Sequence, residues 1–146
     1  MITLILLHFL GLSPYSMSKT DVESTSIEIA ITDIKNDNGY ILIALFSNEK
    51  GFPDKSDKAN KKLRIPAKKG TVKGVFTAVP AGTYAYGVIH DENDNQQLDT
   101  GFFGIPKEGF VFSRNAMGTV GPPSFSDAAF KVESASIIHT LKITYW

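Results

Sequence analysis

Ile27-Glu-Ile-Ala-Ile-Thr-Asp-Ile-Lys-Asn-Asp-Asn-Gly-Tyr-Ile-Leu-Ile-Ala-Leu-Phe46 decides the fold class. Ile27, Ile29 and Ile31 alternate with Glu28, Ala30 and Thr32, and a period of two is the signature of a half-buried strand. Asn36-Asp37-Asn38-Gly39 follows, where Asn and Gly accept positive φ at low cost and mark a sharp turn. Tyr40 to Phe46 is then almost continuously apolar, which implies a strand covered on both faces or central in a sheet. Read together, the two runs predict a β-hairpin.

Working outward, Ser47 to Lys62 reads as a loop broken by Gly51-Phe52-Pro53, with Phe52 as a plug that pins it to the core. Leu63-Arg64-Ile65 is a short strand stopped by Pro66, and Gly70 opens a further hairpin arm with Val72, Val75 and Phe76 apolar. Pro80-Ala81-Gly82 turns the chain into a strand from Gly82 to Ile89. Tyr84, Tyr86 and Val88 share one face, and Ala85, Gly87 and Ile89 the other. The small residues at 85 and 87 predict close approach of another backbone. Two more strands are expected over 128–132 and 136–146, the second with Ile137, His139, Leu141, Ile143 and Tyr145 on one face. No stretch has helical periodicity. About seven short strands separated by turn signals predict an all-β fold, an antiparallel β-sandwich.

Composition narrows the function classes. A chain of 146 residues with 42% hydrophobic and 21% charged residues is an ordinary globular domain, and it is large enough to fold without staples. The absence of cysteine excludes disulfides, thiolate metal sites, cysteine nucleophiles and a lipid-anchored lipoprotein. Fifteen basic and fifteen acidic residues cancel, so no bulk attraction to nucleic acid or anionic membrane is expected. Ile2 to Leu12 is apolar but too short to span a bilayer, and Ser16-Met17-Ser18 offers small residues at a cleavage site. Residues 1–18 therefore read as a secretory signal peptide lacking a positive leading segment, and 19–146 as one exported β-sandwich domain, periplasmic or extracellular. The alternative for the apolar run is a buried first element. From Lys55 to Lys73, eight basic residues stand against one acid, Asp57. No aromatics interleave with them, so a solvated edge strand is preferred to a nucleic-acid patch.

The chemistry-bearing stretch is His90-Asp91-Glu92-Asn93-Asp94-Asn95-Gln96-Gln97-Leu98-Asp99. Calcium needs six to eight oxygens on backbone that can curl around the ion. Asp91, Asn93 and Asn95 supply side-chain oxygens at alternate positions, Gln97 would offer its carbonyl, and Asp99 sits ninth. Gln96 stands where a glycine would ease the turn, and Phe102 where a bidentate acid would complete the shell. Asp127 or Glu108 could complete or order the loop. With this charge count, binding on the order of 10⁻⁴ to 10⁻³ M is expected. The competing reading is an acidic turn that caps itself with Asx hydrogen bonds and binds nothing. Asp94 and Glu92 are expected to point outward. His90 and His139 lack ligand spacing, and no Gly-x-Ser-x-Gly elbow is present.

The loop from Thr100 to Ser126 carries Phe102, Phe103, Phe110, Phe112 and Phe125, too many aromatics for a slack connection. They either cap the open end of the sandwich or line a ligand surface with Arg114, Asn115 and Asp127.

From Val88 onward the residues resemble the family called domain of unknown function 2141, small secreted bacterial proteins. The likeness rests on His90-Asp-Glu-Asn93, Leu98-Asp-Thr100, Phe103-Gly-Ile-Pro106, Glu108-Gly109, Phe112-Ser113, Asn115-Ala116, Gly118, Gly121-Pro-Pro-Ser-Phe125 and Asp127-Ala128. It extends to the Asn turn, the Phe46 strand end and the Phe52 loop. The family's loop is richer in glycine between Asn93 and Leu98 than this one. The resemblance implies an immunoglobulin-like or transthyretin-like sandwich and export, and it carries no activity. A looser similarity is to calcium-binding sandwich repeats of bacterial adhesins, whose Asp-x-Asn-x-Asn-Gly-x-x-Asp loop Asp91, Asn93, Asn95 and Asp99 match.

The expectation is thus an exported, non-enzymatic β-sandwich whose 91–99 loop binds calcium weakly and orders the aromatic 100–126 loop. The alternative is a carbohydrate- or peptide-binding module using the 100–126 surface, with a surface glycan or protein as partner. Neither reading involves nucleic acid or a stable membrane span after signal cleavage.

Overall fold

The structure is a computed structural model and describes residues 25–146. The segment read as a signal peptide, and the first residues of the domain after it, lie outside the described residues. Among the described residues are eight strands and one four-residue helix: β1 (Thr25–Ile34), β2 (Tyr40–Phe46), β3 (Lys61–Pro66), β4 (Gly70–Val79), β5 (Gly82–Asp91), β6 (Gly109–Phe112), α1 (Phe125–Ala128), β7 (Phe130–Val132) and β8 (Ile137–Lys142). They form two sheets, β4-β1-β8 and β3-β2-β5-β6, with β7 added along β5. The class is all-β and the arrangement a sandwich, as the alternation predicts.

The hairpin reading of β1 and β2 is corrected. β1 pairs with β4 and β8, and β2 with β3 and β5, so the Asn36–Gly39 turn carries the chain from one sheet to the other. Both strands bury isoleucine rows: Ile27, Ile29 and Ile31 on β1, Ile41, Ile43 and Leu45 on β2, all in one core cluster. Side by side, these rows would extend one apolar face; opposed across the two layers, they cover each other. Gly39 makes the crossing possible. Its φ is +65°, and a Cβ there would run into the carbonyl of Asp91. The purely antiparallel expectation is also corrected, because β1 and β8 run parallel, Ile27 beside Ile137 through Thr32 beside Lys142.

Strand β5 alternates as read, with Tyr84, Tyr86, Val88 and His90 turned to the core and buried. The outer face at Gly87 meets the Phe112 ring and Pro53, so side chains and not a backbone take up the space. Phe52 is the predicted plug, edge-on to Phe46, Phe112 and Phe125. β6 was missed in the sequence because its four residues, Gly-Phe-Val-Phe, are all buried and show no alternation.

Two tyrosine–histidine pairs tie the layers together. The Tyr86 hydroxyl on β5 lies 2.9 Å from Nδ1 of His139 on β8. His90 Nε2 donates to the Asn38 carbonyl at 2.7 Å, and its Nδ1 lies 2.7 Å from the Tyr145 hydroxyl. Beyond β8 the chain crosses layers: Thr144 and Phe110 exchange two backbone hydrogen bonds of 2.9 Å. His139 is therefore structural, packed between Tyr86 and Phe130.

Burial lowers the His139 pKa from its ordinary 6.5. Below pH 6.5 the unfolded chain takes up a proton that the folded chain resists. This contribution to stability is therefore complete above 6.5 and fades as pH falls through the lower folded value. Urea unfolding of wild type and His139→Gln at pH 7.5 and 5.5 checks this. The wild type should lose more stability than the variant on acidification, and equal losses would refute it.

Candidate functional site

Asp91 ends β5 and is fully buried, with both carboxylate oxygens turned into the following loop. Oδ1 accepts the Asn95 amide at 3.1 Å and Oδ2 the Gln96 amide at 2.8 Å. The loop coils back on its own strand end because those amides would otherwise be unpaired beside a buried charge. Asn93 and Asn95 add two Asx turns, accepting from the amides of Asn95 and Gln97 at 3.3 and 3.0 Å. Their side-chain amides both converge on Asp99, with Nδ2 of Asn93 2.6 Å from Oδ2 and Nδ2 of Asn95 2.7 Å from Oδ1.

Gln96 has φ +62° and Asp94 φ +55°. The backbone takes the left-handed conformation at the sixth loop position without the glycine the pattern calls for, at a cost of roughly 1 kcal/mol or more per residue. Among the candidate ligands, Asn93, Asn95 and Asp99 come together, while Asp91 stands behind the turn as its cap. Among the described residues no group of three or more His, Cys, Asp or Glu side chains is arranged to hold a metal ion.

Glu108 and Asp127 part company. Glu108 is buried and clamps both ends of the turn, accepting the Glu92 amide at 2.9 Å on Oε1 and the Asp99 amide at 3.0 Å on Oε2. It orders the loop. Asp127 lies in α1 and accepts the Ser124 hydroxyl at 2.7 Å as part of that helix's cap. Glu92 and Asp94 are held by cationic partners: Asp94 takes an ion pair from Arg64 at 2.8 and 2.9 Å, and Arg64 lies over the Tyr40 ring. Glu92 pairs with Lys35 at 2.9 Å and Asn36 at 2.7 Å. Burial raises the Glu92 pKa, but these partners outweigh it and hold the carboxyl below its ordinary value.

The turn is the foot of a larger construction. Lys107 donates to the Asp99 carbonyl at 2.8 Å and Gly101 to the Ile105 carbonyl at 2.7 Å, folding 100–106 into a narrow projection. Phe102 is 90% exposed at its tip, and Phe103, with φ +60°, is fully exposed. This projection, the 53–57 loop and the 117–123 segment wall a groove of about 1000 Å³ over the outer face of the β3-β2-β5-β6 sheet. Its floor follows from the register. One row runs Lys62, Ala44, Gly87, Phe112, and the next Arg64, Leu42, Ile89, Phe110. Trp146, 72% exposed, stacks on Phe110 at 6.5 Å between centroids and closes one end.

The five phenylalanines therefore divide. Phe110 and Phe112 are buried floor, Phe103 is wall, Phe102 is tip, and Phe125 packs on Phe52. Arg114 and Asn115 sit away from the groove in left-handed backbone, Arg114 donating to the Ala129 carbonyl at 3.2 Å. His90, Asp127 and Arg114 each have separate partners and form no joint cleft. The groove was missed in the sequence, although one signal was there: β2 is apolar on both faces.

Replacing Glu108 by Gln substitutes an amide nitrogen for one of two acceptors. The expected cost is about 1–3 kcal/mol in urea unfolding, with faster hydrogen exchange at the amides of Glu92 or Asp99. Unchanged exchange at both would show that the clamp does not hold the turn.

The chain matches, over residues 29–139, a family described as an uncharacterized protein conserved in bacteria (DUF2141), and it belongs to that family. No curated protein and no solved structure matches it.

Proposed function

We propose that this member of an uncharacterised bacterial family is an exported, non-enzymatic binding module whose ligand lies in the groove on the outer sheet face. The observation that carries the reading is the concentration of exposed hydrocarbon. Of the eight large hydrophobic side chains exposed among the described residues, Phe103, Ile105, Met117 and Trp146 line this one groove. Exposed apolar side chains gathered around a concavity mark a binding site, whereas scattered ones do not. The floor of Leu42, Ala44, Gly87, Ile89, Phe110 and Phe112 offers neither hydroxyl partners for a glycan nor an acid–base pair. That favours a ligand with apolar groups, a small molecule or a peptide side chain, held and not converted. Among the described residues no helix is long and apolar enough to cross a membrane.

Calcium enters as a second reading at the foot of the wall. It is favoured by the left-handed Gln96, which curls the backbone as a calcium loop requires; Asn93 and Asn95 now donate their amide nitrogens to Asp99 and would turn their oxygens inward on binding. Asp99, the amide oxygens of Asn93 and Asn95 and the carbonyl of Gln97 would hold the ion. Asp91 and Glu108 would brace the turn from behind. A bound divalent cation would supply an electrostatic cross-link that stiffens the 100–106 projection.

Trp146 is the sole tryptophan and lies in the groove, so it reports occupancy directly. Titration with decanol should shift its emission to the blue and saturate. Gly87→Leu, which fills the floor, should abolish saturation while leaving the circular dichroism spectrum intact; Ala44→Leu tests the same hollow from β2. A linear, non-saturating response in wild type would remove the groove reading.

For calcium, thermal unfolding at millimolar ion should move upward relative to chelator. A concentration near ten times Kd adds about 1.4 kcal/mol. Superimposable curves up to about 10 mM, beyond the weak end of known sites, would remove the cation reading.

A further inference from the structure

We infer, resting on the groove reading above, that the groove takes a small organic acid: an apolar chain or ring lying over the Ala44–Gly87 hollow, its single carboxylate at Lys62. The hollow comes from the register. Ala44 and Gly87 are cross-strand partners on the outer face, between the Leu42–Ile89 pair and the Phe52–Pro53 plug. Phe112 and Pro53 border it, so it is a shaped recess in the floor.

Lys62 is the next residue in that row, opposite Ala44 on β3. Its stem starts one strand spacing from the recess, about 4.8 Å away. The charges at this edge are sorted by their partners. Arg64 is committed to Asp94 and to the Tyr40 ring. Asp57 stands 3.6 Å from Lys58. Lys55 and Lys62, both lining the groove, make no ion pair among the described residues, and of the lining acids only Asp54 is similarly uncommitted.

Two free ammonium groups therefore face one free carboxylate along one rim. The lining side chains of the opposite wall, Leu98, Thr100, Phe103, Ile105 and Pro106 with Phe110 and Trp146, are uncharged, and Asp99 between them is taken up by Asn93 and Asn95. A groove that is basic along one edge and elsewhere mostly apolar, with only neutral polar side chains such as Gln96, Gln97 and Thr100 among the lining, complements a molecule that is anionic at one end and apolar along the rest. Its volume of about 1000 Å³ lies at the upper end of small-molecule sites. The prolines in its walls, Pro53, Pro106, Pro122 and Pro123, keep it pre-shaped.

The test follows Trp146 emission on the whole chain with four probes: decanoate, decanol, decylammonium, and the peptide Ala-Leu-Phe with a free or an amidated terminus. Decanoate should bind about fivefold more tightly than decanol, as expected for one partly exposed ion pair, and decylammonium should bind weakest. Lys62→Gln should bring decanoate down to the affinity of decanol, and added salt should do so in part. Equal affinity for all three decyl compounds overturns the carboxylate assignment and leaves the groove reading standing. No saturable binding by any of them removes the groove reading itself. Binding of the free-acid peptide without binding of decanoate overturns the small-acid assignment in favour of a chain terminus.

Discussion

Strands β2, β5 and β6 of the second sheet are largely apolar on both faces, and the architecture answers that constraint. One face of β2 and β5 meets the isoleucine rows of β1 and completes the core. The other cannot be left to water along its whole length at roughly 25 cal/mol per Å². The fold covers it in part with what lies nearby. Phe52 and Pro53 fold down from the β2–β3 loop, and the rings of Phe110 and Phe112 stand along β6. What remains uncovered is the groove. Its floor is thus the same strand chemistry that makes the core, facing outward.

The acidic turn belongs to that arrangement. Asp91 caps it from the strand end, Glu108 clamps its two ends, and Arg64 fastens Asp94 to β3. Each contact binds a backbone or charged group that would otherwise be held only by water, and together they place the 100–106 projection at the groove rim. The left-handed residues 94, 96 and 103 are strained positions that a less anchored loop would relax. The turn's chemistry and the groove's shape are therefore one problem: anchoring a wall over a sheet that needs cover.

The polar contacts between layers work in the same sense. Tyr86 with His139, and His90 with Tyr145 and Asn38, join β5 to the last strand and to the first turn while satisfying every ring nitrogen that is buried. Gly109 leaves room for the Tyr145 ring, where a Cβ would collide with it. A sandwich held by aliphatic rows alone could slide along its length. These directional pairs fix where the sheets stand relative to each other.

The sequence by itself determined the class, most of the strands, the faces of β1, β5 and β8, the Phe52 plug and the position of the acidic turn. Alternation and turn chemistry are local, and they survive without knowledge of neighbours. Only the tertiary structure decided what each strand lies beside. β1 and β2 read as a hairpin but face one another across the core, because period two records which side is buried and not which strand buries it. It also decided that Glu108 clamps the turn while Asp127 caps a helix, that four buried residues after Glu108 are a strand, and that Lys62, Ala44 and Gly87 stand in one row. Apart from the helix cap, the contacts among them join residues 9 to 43 positions apart, and distance along the chain carries no periodic signal of contact.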